Sequence, residues 1–255
     1  MTNDPLAPLL ELPGVAAASD QAREELGRAH RHRTNLRGWR VTAAEASLRS
    51  ARASSVLDGG PTQLDDSATD DPVFAGALRV AQAMEGGMTS LVGVWQRAPL
   101  QALARLHMLA AADQVDEDRL GRPHAGAEGG RRLEMLADLA TGGTRIPAPV
   151  FAAVAHGELL TLTPFGSADG VVARAVSRLV TIASGLDPHG LGVPEVIWMR
   201  NAGQYRDAAR GFAAGTPDGV TAWLLLCCRA LQAGAREALK IAESLAGSGA
   251  RRTPH

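Results

Sequence analysis

The sequence predicts an all-α protein, and three observations carry that expectation. Apolar residues recur at three- and four-residue steps through most of the chain, the period of one helix face. No segment shows the sustained apolar–polar alternation of a half-buried strand. Pro, Gly and Asp-Gly punctuate the periodic runs. A chain of 255 residues is long enough for one well-buried core, in one or two domains.

Taken in order, residues 1 to 20 are Pro- and Ala-rich and are expected to be loosely ordered. Asp20 to Leu57 reads as helix with a break near Gly38. Residues 59–72, GGPTQLDDSATDDP, form a turn-rich acidic linker, expected to be mobile. Val73 to Val94 continues as helix with an interruption at Gly86-Gly87. Leu100 to Ala112 is helix, with Leu103, Leu106, His107 and Ala110 in period. Residues 120–130, LGRPHAGAEGG, read as loop. Arg131 to Leu139 and Pro149 to Leu160 are helices, the second opened by Pro147 and Pro149. Ser184 to Gly190 is a turn, and Pro194–Arg200 and Gln204–Phe212 are short helices. Thr216-Pro217-Asp218 caps a long last helix with Val220, Trp223, Leu224, Cys227, Leu231, Ala235, Ala238 and Ile241 as its buried stripe. The tail from Gly247 is expected to be disordered. This divides the chain into an N-terminal helical region (1–60), a linker (61–75), a helical core (76–246) and a flexible tail (247–255).

Composition narrows the function classes. The formal net charge of −1 argues against a wholly basic nucleic-acid binder. Lys240 is the only lysine among 26 basic residues, a bias from which no mechanism follows. Cys227 and Cys228 are adjacent, so they form neither an ordinary structural disulfide with each other nor a metal site. They read as buried thiols in a reducing compartment. Met1 to Ser19 lacks the basic start of a leader, and no apolar run reaches membrane-spanning length. A cytoplasmic location is therefore expected. Arg28-Ala-His-Arg-His-Arg33 is a basic patch that reads as a solvated face or as a surface for nucleic acid or an acidic partner. There is no Walker loop, Rossmann fingerprint, His/Cys cluster or Ser-His-Asp signature, and no metal site is expected.

The stretch with the most chemistry is Leu159 to Leu179, LLTLTPFGSADGVVARAVSRL. Thr163-Pro164-Phe165 is followed by Gly166-Ser167-Ala168-Asp169-Gly170 and then by a helical stripe of Val172, Ala175, Val176, Leu179, Val180 and Ala183. Asp169 at the mouth is expected to accept from free amides of the first turn. Small residues before a helix leave N–H groups outward, as in anion sites. Arg174 and Arg178 share a face away from the stripe, and Arg174 lies one turn in. The residues read either as a phosphate cradle or as a capped helix with a Gly-rich entrance.

This stretch resembles the signature loop of the Fic (Fido) family, H-P-F-x-[DE]-G-N-G-R-x-x-R. Thr163, Pro164, Phe165, Gly170 and Arg174 fall in register with it, and the resemblance spans most of residues 90 to 245. It implies a Fic-type helical fold with a central signature loop and helix, and an activity of transferring AMP from ATP to a protein hydroxyl. It also places Tyr205 on a helix beside the nucleotide and His107 as a structural histidine. His156, on the helix before the loop, reads as a core histidine, and His124 as exposed and without a partner.

The departures from the pattern each remove defined chemistry. Thr163 stands where the family has its catalytic His; threonine is no general base near neutral pH, and such a loss costs about 10²–10⁴ in rate. Ser167 replaces the acidic magnesium ligand and is a poorer donor to a hard cation. Ala168, Asp169 and Val171 replace the first Gly, the Asn and the first Arg. Asp169 puts a negative charge where phosphate would sit; two unit charges about 4 Å apart repel by roughly 4 kcal/mol at an effective dielectric near 20. Asp169 would act as a base only with a pKa raised by burial, against the preference of a helix N-terminus for the charged form.

Two further segments bear on the resemblance. Ser54-Ser-Val-Leu-Asp58-Gly59 looks like the family's inhibitory motif, [ST]-x-x-x-E-[GN], which implies a salt bridge from Asp58 to Arg174. Independently, Gly59-Gly60 reads as the C-terminal stop of a helix. Residues 120–130 lack the residues of a strand, so the family's target-docking flap is expected to be reduced or absent. The expected function is thus a Fic-like protein impaired in AMP transfer that keeps nucleotide or phosphate binding through Phe165, Ser167, Asp169, Gly170 and Arg174. The alternative is a non-catalytic protein-interaction or regulatory module on the same fold. ATP or another nucleotide is the implied ligand, without magnesium. The expected partners are an unidentified protein and a second copy of the chain, not a membrane or a nucleic acid.

Overall fold

A computed structural model describes residues 4–63, 70–85, 91–124 and 126–250, with side chains to residue 246. The centre of the linker, the Gly86-Gly87 interruption and residues 251–255 of the tail lie outside the described residues. Among those described there are eleven α-helices and no strand. They are α1 (Val15–Arg31), α2 (Arg33–Leu57), α3 (Pro72–Ala83), α4 (Leu91–Arg97), α5 (Pro99–Ala111), α6 (Gly126–Asp138), α7 (Ala148–Leu162), α8 (Asp169–Ala183), α9 (Pro194–Arg200), α10 (Ala202–Ala213) and α11 (Pro217–Ala250). The last helix therefore runs three residues past Gly247.

Helix α8 is the axis of the molecule. Twelve of its fifteen residues are buried, because α7 covers one side and α2, α3, α4 and α5 cover the rest. Val172, Val176, Leu179 and Val180 join Leu103, Leu106, Phe151, Leu159 and Phe165 in the largest apolar cluster. Fully burying such a side chain contributes about 1.5–3 kcal/mol. A second cluster, around Trp198, Trp223 and Leu224, ties α7, α9, α10 and α11 together. Helices α3 and α5 cross with no room for a side chain: a Cβ on Gly76 would lie 2.0 Å from the carbonyl oxygen of Ala110.

Several expectations need correction. Residues 4–20 are not loose. A 3₁₀ turn spans Ala7–Glu11, Asp4 accepts from Thr144 Oγ (2.9 Å) and Arg145 N (2.6 Å), and α1 begins at Val15. Val15, Ala18, Ala22, Leu26 and Ala29 keep helical period and bury against α11, which outweighs the Pro-rich composition just before them. Helix α6 starts at Gly126, five residues earlier than expected, so the expected loop holds its first turn. The break at Gly38 is present as a kink (φ −138°, ψ 29°). Cys227 and Cys228 are both buried and free.

Candidate functional site

The bend between α7 and α8 uses two left-handed residues that are not glycine, Thr163 (φ 40°) and Ala168 (φ 51°). Such a conformation costs a non-glycine residue about 1–2 kcal/mol. The surrounding side chains hold it. Phe165 is buried and stacks on His107, with ring centroids 4.2 Å apart and planes 5° apart. The Gly121 N–H donates to His107 Nδ1 (2.9 Å), which leaves Nε2 as the protonated nitrogen donating to Ser167 Oγ (3.0 Å). Burial, and then the positive neighbour Arg119, hold the His107 pKa below the ordinary imidazole value. His124 donates its backbone N–H to Pro164 O (2.9 Å), and its exposed ring lies where a Gly166 side chain would project.

Asp169 does not cap the first turn of α8 as expected. Its side chain turns back and accepts from Phe165 N (2.9 Å), so it closes the bend itself. Burial raises its pKa although the amides of the bend oppose the shift. The direction is thus the reverse of the expected preference for charge: the bend is dry enough for desolvation to win.

Arg174 and Arg178 do share a face of α8, but that face is covered rather than open. It meets Ser50, Ser54 and Asp58 of α2 and its end, spaced four apart on a helix running antiparallel. Arg178 donates to Ser50 Oγ (2.9 Å) and to the carbonyls of Gly190 and Gly192, with Glu195 at 3.6 Å. Arg174 Nε donates to Ser54 Oγ (2.8 Å), and its Nη2 to Ser54 O (3.0 Å) and Asp58 Oδ1 (2.7 Å). The other Asp58 oxygen accepts from Val171 N (2.9 Å) at the start of α8. The Arg174 side chain is 2% exposed and that of Asp58 22%. Burial works against the Arg174 charge, but Asp58 and Tyr205 outweigh it, and its pKa is raised.

Two glycines make this approach feasible. Gly59 (φ 94°) ends α2 in the left-handed region, and Gly60 N donates to Ser55 O (2.9 Å), so the helix stops where Asp58 can turn inward. Gly170 has no side chain, and a Cβ there would lie 2.3 Å from Asp58 Oδ1. Behind Arg174, the Tyr205 hydroxyl bonds His156 Nε2 (2.8 Å). His156 is fully buried among Trp198, Tyr205 and Trp223, and burial holds its pKa well below the ordinary value. It is a core residue and does not reach the bend's surface.

The structure thus gathers Ser54, Asp58, Gly170 and Arg174 at one point. Phe165 and Ser167 lie on the other side of the bend, against His107, and Thr163 is exposed at its rim. The free cavity beside Arg174, lined by Ser54, Val171 and Arg178 among others, is about 20 Å³, room for about one water and far short of a nucleotide. The phosphate-type donors of the bend exist, but the chain's own carboxylates occupy them. The Ser167 hydroxyl is engaged by His107, and among the described residues no three His, Cys, Asp or Glu side chains gather. Sequence reasoning missed the Ser50–Arg178–Glu195 cluster and the His107–Ser167 bond. The four-residue spacing of Ser50, Ser54 and Asp58 was the available signal for the first.

No protein-family model matches this sequence, and no curated protein matches it. A search of solved structures finds the crystal structure of a Fic family protein from Desulfovibrio desulfuricans G20, at 17% identity and a TM-score of 0.62. The match covers 89% of this chain and 74% of that one. Likeness at this identity speaks for architecture, and the chain accordingly has the all-α Fic fold, with α8 at its centre.

Proposed function

We propose that this chain is a Fic-fold protein whose anion site is closed from within by Asp58, and that it binds a phosphoryl ligand, a nucleotide above all, only when Asp58 withdraws. The single observation behind this reading is the Asp58 carboxylate bridging Val171 N–H and Arg174. One oxygen sits on a helix N-terminus and the other on a guanidinium, the same donors that hold a phosphate oxygen. Asp58 sits at the end of α2 beside the linker, so a change there can free Arg174 without disturbing α8. AMP transfer in the manner of the family is not part of the proposal, because Thr163 offers no proton acceptor and Ser167 no cation site.

Calorimetric titration of ATP, ADP and AMP into the wild-type chain, Asp58→Ala and Asp58→Ala/Arg174→Met tests it. The wild type is expected to bind weakly, Asp58→Ala at least tenfold tighter, and the double variant to lose that gain. Silence of a folded Asp58→Ala variant with all three nucleotides would sink the reading and leave a non-catalytic interaction module on this fold.

A further inference from the structure

A second site lies at the other end of α8, about 20 Å along a helix of this length from the bend. There a cavity of about 570 Å³ opens between α2, α4 and the α8–α9 loop, lined by Trp39, Arg40, Arg178, Ile182 and His189 among others. That volume is in the range of small-molecule sites. One wall is flat and aromatic: His189 stacks on Trp39 with centroids 4.0 Å apart and planes 4° apart, and the Arg40 guanidinium lies 5.0 Å over the indole. Ala43, Val92, Ile182 and Ala183 line the cavity too, beside Arg178.

The charges around the cavity favour an anion. Arg178 is committed to backbone carbonyls, Ser50 and Glu195. Arg40 is exposed and, like Arg31, Arg33 and Arg37 nearby in sequence, has no carboxylate within salt-bridge reach among the described residues. Asp187 below the loop is buried and already bonded to His30 (2.8 Å) and to Leu191 N and Gly192 N. Among the described residues Glu85 is the one carboxylate lining the cavity. A ligand there meets the stacked Trp39–His189 pair, apolar side chains around Ile182, and a guanidinium with no carboxylate in salt-bridge reach among the described residues.

We infer that this cavity binds a small anionic ligand with a planar ring, the chemistry shared by nucleotides and aromatic carboxylates, with Arg40 holding the anionic group and the Trp39–His189 wall holding the ring. The site is independent of the bend and of Asp58.

Saturation-transfer NMR on the full chain, with AMP in one arm and salicylate in the other, tests this. At least one probe is expected to bind, with Arg40→Ala weakening it about tenfold and Glu85→Gln strengthening it, both effects persisting in an Arg174→Met background. AMP binding alone assigns the site to nucleotides, and salicylate binding alone to aromatic acids. Binding of neither probe, or binding indifferent to both Arg40→Ala and Glu85→Gln, overturns the inference. AMP binding that survives Arg40→Ala but is lost in Arg174→Met places the nucleotide at the bend; that outcome supports the proposed function and overturns this inference. Arg40 and Glu85 are exposed, so their variants keep the test decisive even if Arg174→Met fails to fold.

Discussion

Replacing Asp58 by alanine isolates the contact on which the proposed function depends. The substitution removes an ion pair of 2.7 Å to a guanidinium that is 2% exposed and a hydrogen bond of 2.9 Å to Val171 N. Removing one partner of a buried pair typically costs about 3–5 kcal/mol. The Asp58 side chain is 22% exposed, so water reaches part of the space it leaves, and Arg174 keeps both bonds to Ser54. These offsets put the expected loss at roughly 3 kcal/mol, the lower end of that range. For a chain of this size that is about 6–12 °C in Tm. The assay is urea unfolding followed by circular dichroism at pH 7, with Asp58→Asn as control. Asparagine keeps an acceptor for Val171 N–H but loses the charge, and is expected to lose about half as much. In a double-mutant cycle with Arg174→Met the two losses should fall short of adding, by about 2 kcal/mol. An Asp58→Ala loss within about 0.5 kcal/mol, the range of an ordinary surface change, would show that the carboxylate does not hold Arg174 and would refute the closed site.

Three other outcomes follow from the same geometry. Gly170→Ala puts a Cβ where Asp58 Oδ1 now sits, so it should destabilise the chain about as much as Asp58→Ala and add little to that variant; full additivity in unfolding would argue against it. His107 and His156 are held below the ordinary imidazole pKa of 6.5, so the folded chain binds fewer protons than the unfolded one near neutrality. Stability is therefore full above about 6.5 and falls as pH drops below it; equal urea midpoints at pH 7.5 and 5.5 would refute this. A loop repaired by Thr163→His, Ser167→Asp, Ala168→Gly, Asp169→Asn and Val171→Arg should stay inert with ATP and magnesium while Asp58 is present, and gain self-labelling once Asp58→Ala is added. Labelling of the repaired chain with Asp58 in place would show that the carboxylate is no barrier.

The fold was legible because helical period needs no partner to show itself. Val172, Val176, Leu179 and Val180 declared the buried stripe of α8, and the structure buries them. Period could not tell that the opposite face is buried too. An arginine in a sequence looks the same whether it faces water or a row of hydroxyls, and only the matching spacing of Ser50, Ser54 and Asp58 reveals that the two helices lie side by side. Asp169 misled for a related reason: a carboxylate before a helix can reach forward to the first turn or back to the loop, and left-handed Ala168 turns it back. The His107–Ser167 bond joins residues sixty apart and leaves no local signal at all.

The two internal carboxylates at the bend are not equivalent, and that difference bears on how the site could open. Asp169 is buried, bonded to loop amides on its own side of the bend, and raised in pKa by desolvation, so it belongs to the loop's structure. Asp58 comes from a different helix, reaches in past two glycines, and sits at the C-terminal end of α2. Withdrawing Asp169 would unmake the bend itself, whereas withdrawing Asp58 uncovers Val171 N–H and Arg174 and leaves the bend standing. Under the proposed function a ligand competes with one carboxylate only. An effector acting on the end of α2 would shift the equilibrium by its differential affinity for the two forms. Ser54 holds Arg174 through two bonds that do not involve Asp58, so under the proposed function the guanidinium would stay aimed at the start of α8 once Asp58 leaves.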